Sequence, residues 1–250
     1  MSETSEKFAR MLAIETATST QAVALIDGDE LLEHRVRKVV FNHGSSLLET
    51  IDQILEERTV ELADIDLFCV GLGPGSFTGL RVGLATAKAL SRAVDSPIVG
   101  VSSLAALAYG PARTAVGTTI AASIDARRHE VYAGAYRWKN GELITVVDEC
   151  ALSPEDWIDE VTDGVSGPLL QVGNASRRYD ALAAWESSDM ETISPQLVTV
   201  SAVGVALLGR FTAATAGPDD RHRLEPHYIR PSDAVLPEDE PEPMPPKPER

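Results

Sequence analysis

One succession of segments occurs twice in this chain, and few folds accommodate it. Three strand-like runs come first: "RMLAIETA" (10–17), "TQAVALID" (20–27) and "LLEHRVRKV" (31–39). The turn "DGDE" at 27–30 separates the last two as a hairpin turn does. A helix is expected over 44–58, with Leu47, Leu48, Ile51, Ile54 and Leu55 on one face. A buried strand "LFCVGLG", a helix opening at Ser76, a short strand "PIVGVS" and a small-residue helix "SLAALAYG" follow. After "PARTAVG" the order restarts. "TIAASIDAR" and "EVYAGAYRW" alternate like paired strands, and "KNGE" supplies an Asn-Gly turn into "LITVVDE". "SPEDWIDEV" carries helix-start chemistry, with Ser153 as N-cap, Pro154 at the first position and Asp156 in the first turn. A strand "PLLQVG", a helix "SRRYDALAAW" and a last helix over 201–214 close the core.

Strand–strand–strand–helix–strand–helix in two halves is the order of an α/β protein with the actin-like ATPase (ASKHA, ribonuclease H-like) fold, two βββαβα lobes around a cleft. The expected division is a disordered N-terminus over 1–9, a first lobe over 10–110 that carries partner-binding helices, and a second lobe over 111–231 whose last helix returns to the core. A disordered, acidic, proline-rich tail is expected over 232–250.

In such a fold a nucleotide sits between the lobes, gripped by the hairpin turn that opens each half. Glycine is favoured in those turns because a missing Cβ admits phosphate to the backbone. The first turn, "IETATSTQ", offers Glu15, Thr16, Thr18 and Ser19 but no glycine. In the second, "IDARRHEV", Arg127, Arg128, His129 and Glu130 follow Asp125 where a tight glycine loop belongs. Two arginines attract phosphate by charge but supply no close backbone cradle. Catalytic residues are therefore expected to be none, and cofactor-binding and metal-binding residues likewise none.

The glycine-rich stretch "GPGSFTGLRVGLATAKAL" (73–90) fails three chemical templates. It lacks the Lys and Ser or Thr of a P-loop, it has Thr78 where a dinucleotide fingerprint needs its third glycine, and Pro74 replaces the first glycine of a nucleophile elbow. Helix geometry remains. Ser76 caps the helix, and Gly79, Gly83 and Ala87 recur at i, i+4 and i+8 as one smooth stripe. A glycine inside a helix costs roughly 1 kcal/mol relative to alanine, so close approach of another helix is the expected reason. That helix lies in the same molecule or on a second subunit; so apolar a helix, flanked by Leu80 and Leu84, favours the subunit. The expected interface comprises His43, Leu47, Ile51, Ser76, Gly79, Leu80, Gly83, Leu84 and Ala87.

Composition narrows the function further. A formal net charge of −16 opposes direct grip of nucleic acid, which needs Lys and Arg patches. The five histidines show no metal-ligand spacing, the three tryptophans are scattered, and Cys69 and Cys150 belong to no CxxC pair. The opening "MSETSEKFAR" has no apolar signal core, so a cytoplasmic location and no membrane contact are expected.

Four segments, "MLAIETATSTQAVALID", "GPGSFTGLRVGLATAKAL", "SIDARRHEVYAGAY" and "EPHYIRPS", resemble the successive signatures of the TsaB (YeaZ) family over about residues 10–231. The resemblance implies a non-catalytic subunit needed for threonylcarbamoyladenosine (t6A) at position 37 of tRNAs that read ANN codons. It implies binding to the catalytic relative TsaD, a homodimer when TsaD is absent, and action of the ATPase TsaE on the pair. tRNA is reached only through the complex, and ATP and metal are expected on the partner subunits. The metal-binding histidine pair of TsaD is absent, with "SSLAALAYG" standing where it falls, and Glu15 stands where relatives commonly have Asp. The alternative is a self-sufficient ATPase or a glycopeptidase of the same fold.

Overall fold

The computed structural model describes residues 8–38, 43–185 and 201–230. The expected repeat is present. β1 (Arg10–Glu15), β2 (Thr20–Asp27), β3 (Glu30–Lys38), β4 (Leu67–Gly71) and β5 (Ile98–Val101) form a sheet of order β3-β2-β1-β4-β5. β6 (Thr119–Arg127), β7 (Glu130–Lys139), β8 (Glu142–Leu152) and β9 (Leu169–Val172) form a second sheet of order β8-β7-β6-β9. In each, the first three strands are antiparallel and the fourth pairs parallel with the first. The β7–β8 turn has Asn140 and Gly141 both at positive φ, the backbone that an Asn-Gly hairpin turn requires.

β1 is covered on both faces, which is why it reads as an unbroken apolar run rather than an alternating one. Leu12 and Ile14 join Leu47, Ile51 and Ile54 of α1 (His43–Arg58) and Leu84 and Ala87 of α2 (Phe77–Ala93). Met11 and Ala13 point the other way, with Cys69 of β4, onto residues from the far end of the chain. Those residues, Ala202, Val205 and Ala206, belong to α6 (Ala202–Thr215).

One core on each sheet takes a helix from the other half of the chain. α3 (Ser103–Thr114) follows β5 in sequence, yet Leu104, Leu107 and Ala112 pack with Ile120, Ile124 and Tyr136 of the second sheet. α6 closes the first sheet in return. The two helices cross where Gly204 lies on the Ala106 carbonyl, too close for any side chain.

Two helices depart from expectation. α3 does not stop at Gly110 but continues through Pro111 to Thr114, where the proline's missing N–H removes only one bond near a helix end. The helix expected over 176–185 is broken after α4 (Pro154–Gly164) and β9. A single 3-10 turn, Ala175–Arg177, precedes a four-residue α5 (Asp180–Ala183), and between them Tyr179 is extended, which sends its ring back to β6. Of the termini expected to be disordered, 1–7 and 232–250 lie outside the described residues, whereas Phe8, within the expected 1–9, is buried in the core of the first sheet.

Candidate functional site

The glycine stripe of α2 has its neighbour inside the chain, and that neighbour is a turn rather than a helix. A Cβ on Gly79 would fall on the backbone carbonyl of Thr16, and one on Gly83 on the Thr16 hydroxyl, both far inside van der Waals contact. The turn is tied down at the same place. The Thr16 hydroxyl donates to the Gly79 carbonyl at 2.8 Å, and the Ser76 N–H donates to the Ala17 carbonyl at 2.7 Å. Ser76 caps α2 as expected, accepting from the Gly79 N–H at 3.3 Å.

This corrects the reading of the stripe as a face left open for a second subunit. Gly79, Leu80, Gly83, Leu84 and Ala87 are buried within the chain, as are Leu47 and Ile51 on α1. His43 begins α1, and its side chain lies outside the described residues. The outward side of the helix pair consists of other residues. Thr78, Arg81, Ala85 and Ala89 of α2 are exposed, Val82 and Thr86 are half-buried, and Leu48 of α1 is 49% exposed. The signal for them was present in sequence, since 78, 82, 85 and 89 also repeat at helical spacing. Glycine drew attention to the opposite side.

At the head of the first turn, Glu15 is fully buried. Its Oε1 accepts from the Ala17 N–H at 2.7 Å, its Oε2 has no hydrogen-bond partner, and the carboxyl lies against Gly71, where a Cβ would displace it. Burial pushes its pKa up from the ordinary 4.5, opposed by Ser103 and the backbone N–H groups of residues 16 and 17. A carboxyl raised by burial supports folding while protonated, and that contribution is lost as pH rises above 4.5 through the folded-state value. Glu15→Gln keeps the acceptor and cannot ionise. It is expected to raise stability by on the order of 1 kcal/mol at pH 8, with the gain vanishing toward pH 4, as urea unfolding at the two pH values measures.

The second turn makes its reversal without glycine. Arg127, Arg128 and His129 all hold positive φ, at 61°, 54° and 62°, on the order of 1 kcal/mol of strain each. Neighbours brace it. Asp125 Oδ1 accepts from the Arg127 N–H at 2.8 Å and lies 2.8 Å from the Tyr179 hydroxyl, while the Asp125 N–H donates to Asn174 at 2.9 Å. The His129 ring stacks on Tyr179 with centroids 5.6 Å apart. Burial first, and then Asp125, push the Tyr179 hydroxyl up to about 12.

The two halves meet at Glu149 of β8. It accepts from the Ser102 hydroxyl at the start of α3 and from the Tyr136 hydroxyl at 2.6 Å, and His227 Nδ1 lies 3.2 Å from its other oxygen. His227 belongs to "EPHYIRPS", which straps the halves together. Its N–H donates to the Leu72 carbonyl at 2.8 Å, Tyr228 accepts from Arg81 of α2 at 3.0 Å, and Arg230 donates to the Ala126 carbonyl at 3.1 Å. In the sequence that segment carries only the family resemblance, with no role of its own.

Among the described residues no three His, Cys, Asp or Glu side chains come together in a metal-binding group, and no helix is long and apolar enough to cross a membrane. Cys69 and Cys150 are free thiols, and burial pushes Cys150 up to about 11.

Known proteins share this arrangement. A family model described as "TsaD: tRNA N6-adenosine threonylcarbamoyltransferase" matches residues 37–202. The tRNA threonylcarbamoyladenosine biosynthesis protein TsaB of Bacillus subtilis is 30% identical over 235 residues, 90% of this chain and 95% of that protein. TsaB of Escherichia coli is 36% identical over 174 residues, 69% of this chain and 74% of its own length. YeaZ from Pseudomonas aeruginosa superposes with a TM-score of 0.71 at 26% identity, covering 88% of this chain and 99% of that structure. A ROK hexokinase from Thermus thermophilus, with a TM-score of 0.50 at 12% identity over 82% of this chain and 99% of its own, shares the actin-like fold alone. The match to TsaB of Bacillus subtilis spans 90% of this chain and 95% of that protein, and on that evidence the chain belongs to the TsaB (YeaZ) family.

Proposed function

We propose that this chain serves t6A formation on tRNA as a non-catalytic subunit that binds and stabilises TsaD, with TsaE acting on the pair. The observation that carries the non-catalytic reading is Glu15. The acidic side chain at the head of the cleft is fully buried against Gly71, so no carboxylate is presented there to a metal or to an attacking water. The second turn adds to this, since its side chains stand where a phosphate cradle needs bare backbone. ATP and metal then reside on the partners, and the net charge of −16 suits a subunit that leaves tRNA to them.

Docking falls to the outward side of α1 and α2, where small residues of α2 allow a partner's helices to approach closely. The same side serves a homodimer when TsaD is absent. Depleting the protein in cells is expected to remove most t6A from ANN-reading tRNAs, measured by mass spectrometry of tRNA nucleosides. Unchanged t6A, or ATP turnover by the isolated purified chain, overturns the reading.

A further inference from the structure

The turn between β6 and β7 gathers positive charge that the scaffold reading does not use. Arg127, Arg128, His129 and Arg178 are exposed, and with Asp125 and Tyr179 they line a cavity of about 470 Å³. The lining holds three arginines and one carboxylate, on a chain whose formal net charge is −16. That carboxylate, Asp125, is engaged by the Arg127 N–H and the Tyr179 hydroxyl. Elsewhere arginines face acids directly: Arg10 pairs with Asp27, Arg35 with Glu57, Arg58 with Glu33 and Arg210 with Asp29.

The described chain ends beside this turn. Arg230 donates to the Ala126 carbonyl at 3.1 Å, pairs with Glu130, and lies 5.9 Å from the Tyr132 ring. Ala126 and Glu130 stand on either side of Arg127, Arg128 and His129. The chain continues from that anchor into 231–250, outside the described residues. Glu238, Asp239, Glu240 and Glu242 fall within five positions there, with no basic residue before Lys247. Glu238 is eight residues past Arg230, and eight extended residues span up to about 26 Å, ample to reach the cavity.

We propose that the acidic segment 238–242 of the tail docks on this cationic turn, an intramolecular contact that covers Arg127 and Arg178. Its carboxylates complement the lining, while the acidic remainder of the surface repels them. The anchor at Arg230 keeps the segment at a high local concentration with no second molecule. Pro237, Pro241 and Pro243 favour an extended chain, so little chain entropy is lost on docking. Guanidinium side chains receive carboxylates without the bare backbone that a phosphate cradle needs, so the contact agrees with the non-catalytic reading.

The test is backbone amide NMR of the full chain at low ionic strength. In E238Q/D239N/E240Q/E242Q the docked population should fall about tenfold, moving the amide signals of Arg127, Arg128, His129 and Arg178 from their parent positions. The reciprocal variant R127N/R178Q should move the signals of Glu238, Asp239, Glu240 and Glu242. Asn tolerates the positive φ at 127, so this variant should melt as the parent does. Ala85, on α2, should keep its signal in both. Turn signals identical in the parent and the tail variant overturn the proposal, as do tail signals indifferent to R127N/R178Q. Turn perturbations that grow with protein concentration assign the occupant to another copy's tail, and perturbations confined to α1 or α2 place the tail elsewhere; either overturns it too. The scaffold reading is independent of the tail and rests on t6A content and TsaD binding.

Discussion

Gly79→Ala is expected to destabilise the protein by about 2 kcal/mol and lower its melting temperature by about 4–8 °C, although alanine is the better helix former. Alanine at this position gains up to about 1 kcal/mol of helix propensity. Against that stands a Cβ placed on the backbone carbonyl of Thr16, which no side-chain rotation relieves. Either α2 lifts from the turn or the β1–β2 turn shifts, and both weaken the Thr16–Gly79 and Ser76–Ala17 hydrogen bonds. Gly83→Ala is expected to be milder, by about half, because its clash is with the Thr16 hydroxyl, which can rotate away at the expense of one hydrogen bond.

A double-mutant cycle separates the two. Thr16→Ala should rescue most of the loss in Gly83→Ala and none of that in Gly79→Ala. Thermal melts of the five variants decide it. A Gly79→Ala protein as stable as the parent would mean that α2 does not seat on this turn as described.

Charge placed on the opposite side of the same helix is expected to act on association alone. Ala85 is exposed on α2, between Arg81 one turn before and Lys88 three residues after. A glutamate at 85 is therefore a good helix former with cations within reach, and the folded chain should melt within about 1 °C of the parent. In the proposed complex with TsaD, the same carboxylate is buried without a designed partner, which typically costs several kcal/mol. Ala85→Glu should thus weaken the pair about 100-fold, and Leu48→Glu on α1, which removes an exposed apolar contact, should act in the same direction. Calorimetry with purified TsaD measures both. Unaltered affinity in the two variants moves the docking face elsewhere on the molecule. Together with Gly79→Ala, Ala85→Glu divides α2 into a side that holds the fold and a side that meets a partner.

Much of the architecture was legible in the chain because it depends on local period and turn chemistry. The twice-repeated strand order, the Asn-Gly reversal at 140 and 141, and the caps at Ser76 and Ser153 are all settled within a few residues of one another. The sequence likewise determined that α2 requires a bare side, since two interior glycines in a helix imply something close to its backbone.

What approaches that side was decided by tertiary structure. Thr16 and Gly79 are 63 residues apart, and no periodicity in either segment encodes their meeting. The exchange of α3 and α6 between the sheets has the same character. A helix rich in apolar residues must be buried but does not specify which sheet buries it, because apolar burial is non-directional and either sheet offers an apolar face. The bracing of the second turn also depends on distant contacts. Arg127 and Tyr179 lie on different loops, joined by the hydrogen bond from Tyr179 to Asp125, the His129–Tyr179 stack and the hydrogen bond from Asp125 to Asn174.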